Sequence, residues 1–206
     1  MQISSNLLTH KRIGAFMLGS TLLMIFAMLH HPQGTSQNIG QNSVMKWVHG
    51  VLIFLLVFNA YGLSRLVNHL NDKDRDTNLA MIFYYIGLGS IIMAALVSGF
   101  IQTSLPDYFS NEAGTFSDFN RYSAILNQAF AKLGIISFGA AGVFLTPSLI
   151  GDKGVSRLLG IVGCTVGIVL IFAMISGIYL SVLSMTLLTV LIVIWHIFIA
   201  VWLLKY

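Results

Sequence analysis

Long apolar segments separated by short polar ones dominate the hydrophobicity pattern of this chain. Because a helix needs about 20 apolar residues, within a range of roughly 17–25, to cross a bilayer core, each long segment predicts one membrane-spanning helix. Six segments meet this requirement, and they cover residues 13–29, 44–63, 79–101, 133–150, 158–180 and 182–204. The pattern therefore predicts an all-α polytopic membrane protein, in which a single six-helix transmembrane domain makes up residues 1–206.

The connection between the third and fourth segments, residues 102–131, is the longest polar stretch, and we expect it to lie outside the membrane. Its second half contains apolar residues at helical spacings of three and four, namely Phe119, Tyr122, Leu126 and Phe130. Two structures fit this stripe. Either a helix lies at the membrane interface before the fourth span, or the fourth helix is long and protrudes from the membrane.

The composition supports a membrane location. Hydrophobic residues make up 56% of the chain and charged residues only 9%, whereas soluble domains carry about 25% charged residues. The net charge of +4 is therefore a topology signal and does not indicate nucleic-acid binding. The expected partners are the lipid bilayer and either other membrane subunits or further copies of the same chain, and no nucleic acid.

The distribution of Lys and Arg predicts the orientation of the helices, because cytoplasmic loops carry an excess of these residues. With the N-terminus inside, eight basic residues lie on the cytoplasmic side: Lys11, Arg12, Arg65, Lys73, Arg75, Lys153, Arg157 and Lys205. The opposite side holds three, which are Lys46, Arg121 and Lys132. This bias places both termini in the cytoplasm and is typical of a bacterial inner-membrane protein.

Three of the six histidines, His30, His31 and His49, flank the connection between the first two segments. Imidazole is the commonest metal ligand, and two or three imidazoles can bind copper, zinc or an iron centre. If the first two helices are antiparallel, one of the adjacent pair should approach His49, about one turn inside the second span. The sequence predicts a site for a transition metal or haem at the outer face. The alternative is that these are interfacial residues bonded to loop carbonyls.

Five other residues are candidates for special roles. His196 lies deep in the sixth segment, where an ionisable residue suggests function, although a hydrogen bond to a neighbouring helix would also satisfy it. The amides of Asn59, Asn127 and Gln128 either stitch helices together or line a polar path, and stitching is the commoner use. Cys164 is the single cysteine, so the chain has no internal disulfide and we expect an inert thiol.

Glycines at spacings of three and four mark the fourth and fifth segments, including Gly139, Gly142, Gly163 and Gly167. Small residues at such spacings let membrane helices approach closely. They predict a tightly packed bundle and carry no information about chemistry.

Three functions remain compatible with the sequence. The first is metal handling or electron transfer at the histidine site. The second is a structural or accessory subunit of a larger membrane complex. The third is a small-solute transporter, which a weak glycine repeat at an offset of 120 residues would favour. The six predicted spans hold no Asp or Glu, which disfavours a carboxylate-driven pump. The sequence has no phosphate-binding loop or hydrolase motif, and it leaves enzymatic activity open.

Overall fold

The computed structural model describes residues 2–32, 39–70, 75–109, 113–150 and 154–205. All regular elements in this part of the chain are helices and none is a strand, so the all-α prediction is confirmed there. The elements in order are α1 (Gln2–Leu29), α2 (Ile39–Leu70), α3 (Arg75–Leu96), a π-helical turn (Val97–Ile101), α4 (Gln102–Tyr108), α5 (Ala113–Ile150), α6 (Val155–Ile175) and α7 (Val182–Lys205).

Six helical stretches within these residues are long and apolar enough to cross a membrane, as predicted. Five of them lie in α1, α2, α5, α6 and α7. The remaining span, Asp76–Tyr108, consists of α3, the π-helical turn and α4 joined end to end. Pro106 lies inside the short α4 without interrupting it.

The fourth span is a single helix of 38 residues that begins at Ala113. Residues 113–131 are therefore helical, which matches the second of the two structures that the apolar stripe allowed. The apolar stripe lies along one face of these first turns of α5. Ser123, in the same turns, is buried. A helix of this length is about 57 Å long at 1.5 Å per residue, so it extends beyond a core about 30 Å thick.

The fifth span is shorter than predicted, because α6 ends at Ile175 rather than at residue 180. The backbone N–H of Ser176 still bonds to the carbonyl oxygen of Phe172, at 2.9 Å. Gly177 then adopts a φ of 77°, a left-handed conformation that ends helices and that glycine adopts most easily. The short segment that follows leads into α7.

Neighbouring helices run antiparallel, as two histidine pairs between α1 and α2 show. The rings of His10 and His69 lie 5.9 Å apart at one end of the bundle. The rings of His31 and His49 lie 5.0 Å apart at the other. We call the end with His10 the lower end and the end with His31 the upper end.

Glycines bring α5 and α6 into close contact, as their spacing predicted. A Cβ atom on Gly142 would lie 2.6 Å from the carbonyl oxygen of Gly163, and one on Gly139 would lie 2.7 Å from that of Gly167. Real Cβ atoms essentially never approach so closely, so the two backbones meet at van der Waals distance only because side chains are missing.

Candidate binding cavity at the upper end

A cavity of about 180 Å³ lies in the upper half of the bundle, between α1, α2, α3, α5 and α7. Its wall is mostly aliphatic, with Phe138 as the aromatic residue. The polar lining residues are His31, His49, Ser98, Asn127, Ser181 and Thr189. Among the described residues, no Asp, Glu, Lys or Arg lines it, so this part of the wall is apolar and uncharged, with a few hydrogen-bonding groups.

His49 is buried in the cavity wall, with 6% of its surface exposed. Its Nδ1 lies 2.9 Å from the carbonyl oxygen of Met45. Since a carbonyl can only accept, Nδ1 carries the proton and Nε2 keeps its lone pair. The hydroxyl of Ser98 lies 2.8 Å from Nε2 and donates to it. The same hydroxyl lies 3.0 Å from the carbonyl oxygen of Ala94, so it has a second acceptor if Nε2 binds something else.

The π-helical turn builds this contact. Ser98 and Gly99 are successive residues of the turn, and both meet His49. A Cβ on Gly99 would lie 2.5 Å from the Cβ of His49, so glycine is needed for α2 to approach. Single π turns insert a residue into a helix and frequently occur at functional sites.

His31 follows the last turn of α1 and is partly buried. Its Nδ1 donates to the carbonyl oxygen of Pro32 at 3.0 Å, so Nε2 again keeps the lone pair. Burial of the ring lowers the pKa of His31, and the hydrogen bond to Pro32 opposes this shift. The neutral imidazole is therefore the favoured form, and its ring meets that of His49 edge to face at 71°.

His30, the third histidine predicted for the site, lies outside the cavity. Its side chain is exposed, its Nδ1 donates to the carbonyl oxygen of Phe26 at 2.9 Å, and its ring packs 4.2 Å from that of Phe26. The structure thus brings His31 and His49 together and leaves His30 apart. Across the described ranges, no group of three or more His, Cys, Asp or Glu residues is placed to hold a metal ion.

The buried polar residues outside the cavity stitch helices together. The Asn59 carbonyl oxygen accepts a hydrogen bond from Thr21 at 2.7 Å, which joins α2 to α1. Gln128 exchanges two hydrogen bonds with the backbone of Leu180, which anchors the α6–α7 connection on α5. Both findings agree with the commoner use predicted for these amides. Asn127 instead lines the cavity.

Most residues of the cavity wall were not recognised from the sequence as parts of a site, Ser98, Met28 and Met185 among them. In the sequence, Ser98 resembled one of the small residues that let helices pack closely. The π-helical turn that contains it could not be recognised from the sequence. Met28 and Met185 also line the cavity. A signal for Met28 was present, because it lies only three residues before His31 in the sequence.

Two residues of the cavity wall, His31 and His49, each keep a lone pair on Nε2. Metal-binding histidines usually donate their other ring N–H to a carbonyl or carboxylate, which fixes the tautomer and the ring orientation. His31 and His49 both have this arrangement. No protein-family model, curated protein or solved structure matches the chain.

Proposed function

We propose that this protein handles a transition-metal ion, which it binds in the upper cavity through Nε2 of His31 and Nε2 of His49. The proposal is carried by one observation: two imidazoles line the same cavity, and Nδ1 of each is hydrogen-bonded to a backbone carbonyl, which leaves Nε2 as the electron-pair donor. Electron transfer by the same ion is the related role that the sequence analysis left open.

The distance between the two rings supports a single shared ion. If two imidazoles bind one ion at about 2.0–2.1 Å with a tetrahedral angle, their ring centroids lie roughly 5 Å apart. The observed separation is 5.0 Å. Binding to Nε2 of His49 requires the Ser98 hydroxyl to turn away, and the carbonyl oxygen of Ala94 is within reach to accept it.

An ion fits this cavity better than a haem does. Two histidines on opposite sides of a haem iron would have centroids roughly 6 Å apart, on the same bond lengths. The cavity of about 180 Å³ is also close in size to the roughly 150 Å³ cavity that holds one benzene molecule. A porphyrin is several times larger than benzene, so it would have to displace the surrounding helices.

We further infer that the protein lies in a bacterial inner membrane with both termini in the cytoplasm. The excess of Lys and Arg on the side of the termini supports this orientation. The cavity at the upper end then lies in the outer half of the membrane, where it can exchange an ion with the external face. Exchange on one face favours metal handling over a purely internal electron-transfer role.

A small-solute carrier is the second candidate. The observation that favours it is the mostly apolar cavity wall formed by five helices, which suits a small organic molecule. A solute of this kind would use the aliphatic wall, whereas a metal ion depends on the two imidazoles. Substitution of the histidines therefore separates the two functions.

The test is metal binding by the full-length chain, purified in detergent and loaded with Cu(I), Zn(II) or Co(II) in turn. We expect His31→Ala and His49→Ala each to lose bound metal. Because removal of an outer-shell partner already costs roughly 10–100-fold in affinity, removal of a ligand should cost at least as much. His30→Ala is the matched control, since it removes the neighbouring imidazole, which lies outside the cavity.

Ser98→Ala provides a second measurement that does not remove a ligand. It abolishes the hydrogen bond that competes for Nε2 of His49, so metal affinity should be maintained or increased. If wild type binds none of the three ions, or if His30→Ala impairs binding as much as His49→Ala, the proposed function is wrong.

A further inference from the structure

Three methionine residues line the same cavity as the two histidines. Met24, Met28 and Met185 all line it, although methionine accounts for only 9 of the 206 residues. Methionine often fills irregular gaps in hydrophobic cores because it is flexible and polarizable. Its thioether is also a soft metal ligand, so the positions of the individual sulfurs decide between the two roles.

Met28 and Met185 lie at the level of the histidines. Met28 is in the last turn of α1, its carbonyl oxygen accepts a hydrogen bond from the backbone N–H of His31 at 3.2 Å, and both residues line the cavity. Met185 lies in the first turn of α7, which also begins at the upper end. Both side chains are partly buried. Two thioethers and two imidazoles from three helices therefore meet around one space.

Met24 lies deeper, and its sulfur already has a partner. The amide Nδ2 of Asn59 lies 3.0 Å from Sδ of Met24 and donates to it. The carbonyl oxygen of Asn59 in turn accepts from Thr21 at 2.7 Å. We therefore assign Met24 to the hydrogen-bonded scaffold below the cavity and not to the ligands.

The uncharged side chains of the cavity wall favour a metal ion of low charge. Imidazole and thioether are both neutral ligands, and no carboxylate or thiolate of the described residues lines the cavity. An ion bound there keeps its full charge in an apolar environment. Because the Born cost of burial grows with the square of the charge, a divalent ion costs roughly four times as much as a monovalent one of similar size. Soft ligands of this kind select Cu(I) among the biological metals.

We propose that Met28 and Met185 complete the ligand set of His31 and His49, and that the ion bound is Cu(I). This inference rests on the proposed metal site and specifies its ion. Cu(I) is bound without a change in oxidation state, and exchange at the upper face needs no electron donor or acceptor. The deeper polar contact between Asn59 and Met24 closes the floor of the site.

The test measures Cu(I) affinity by competition with a chromophoric Cu(I) chelator in the presence of ascorbate, on the full-length chain in detergent. We expect Met28→Leu and Met185→Leu each to weaken Cu(I) binding about 10-fold or more, the lower bound for loss of a supporting group. Met93→Leu is the matched control, because Met93 lies on α3 with 44% of its surface exposed and does not line the cavity. Leucine preserves the volume and apolar character, so all three variants should fold.

X-ray absorption at the copper edge gives an independent readout. Wild type should show a sulfur scatterer at about 2.3 Å, the length typical of a metal–sulfur bond, and the double variant Met28→Leu/Met185→Leu should lose it. If the double variant keeps wild-type Cu(I) affinity while His49→Ala loses it, the thioethers are core packing and the inference is wrong, although the histidine site stands. Histidine-dependent Zn(II) binding without Cu(I) binding would also refute it. If wild type binds no ion, the proposed function itself fails.

Discussion

The phenol hydroxyl of Tyr84 on α3 donates a hydrogen bond to Nε2 of His196 on α7, across 2.9 Å. Both side chains are fully buried. Nδ1 of His196 lies 3.0 Å from the carbonyl oxygen of Ile192 and donates to it, so Nε2 has to accept. Tyr84 and His196 satisfy each other's hydrogen-bonding groups. This agrees with the alternative from the sequence that a neighbouring helix supplies the hydrogen-bond partner of His196.

Replacement of Tyr84 by Phe should destabilise the protein. The change removes the hydroxyl and leaves Nε2 of His196 buried without a donor, which typically costs about 1–3 kcal/mol. Unfolding of the detergent-solubilised protein by sodium dodecyl sulfate, followed by tryptophan fluorescence, measures the change in the free energy of unfolding. Tyr85→Phe is the control, because its hydroxyl bonds to Ser64 on an exposed surface. Equal losses in the two variants would contradict the buried pairing.

Gly142→Ala should separate α5 from α6. A Cβ at this position would lie 2.6 Å from the carbonyl oxygen of Gly163, and the backbone of a packed helix cannot move aside cheaply. Overpacking of this kind costs about 1–3 kcal/mol. The same unfolding assay applies.

Gly89→Ala is the matched control for this substitution, because a Cβ there meets nothing within 4 Å. Alanine has a higher helix propensity than glycine, so the control should be neutral or slightly stabilising in the same assay. A Gly142→Ala protein as stable as wild type would show that α5 and α6 are less tightly packed than the structure indicates.

The number of spans could be predicted because each one needs about 20 apolar residues, a requirement that a single sequence displays directly. Helix ends were harder. Residues 113–131 contain enough polar side chains to resemble a connection between spans. In the structure they form the first part of α5. The early end of α6 depends on the backbone conformation of Gly177, which the apolar run through residue 180 conceals.

The candidate site was predicted in part. The meeting of α1 and α2 at His31 and His49 follows from antiparallel neighbours and a short connection. Which of His30 and His31 approaches His49 could not be predicted in this way. Adjacent helical residues point about 100° apart, so the orientation of the chain at the end of α1 decides which ring faces α2. Ser98 reaches His49 only because a π-helical turn brings it there, a local irregularity with no reliable sequence signal.

Gln128→Leu should loosen the connection between α6 and α7. The side chain donates to the carbonyl oxygen of Leu180 at 2.8 Å and accepts from its N–H at 3.1 Å. Leucine fills a similar volume but leaves both backbone groups without these partners. We expect faster hydrogen exchange at residues 176–181, measured by mass spectrometry on the detergent-solubilised protein.

Asn127→Leu is the control for this prediction, because it changes the neighbouring amide and should leave exchange at residues 176–181 as in wild type. Unchanged exchange in both variants would show that the two bonds do not hold the connection.

The proposed orientation predicts which side of the membrane each connection faces. Lys73 and Glu112 lie outside the described residues, one on each side of the span Asp76–Tyr108. A phosphatase reporter active only outside the cytoplasm should be active when fused at Glu112 and inactive at Lys73. A fluorescent reporter that matures only in the cytoplasm should give the opposite pattern.

A fusion after Lys205 is the internal control for this topology. Four spans separate Lys73 from Lys205, and an even number places both positions on the same side of the membrane. The first of these spans consists of α3 and α4 together, and α5, α6 and α7 provide the other three. Both positions should therefore report the cytoplasmic side. Signals from Lys73 and Lys205 that disagree would mean that one of these four stretches does not cross the membrane.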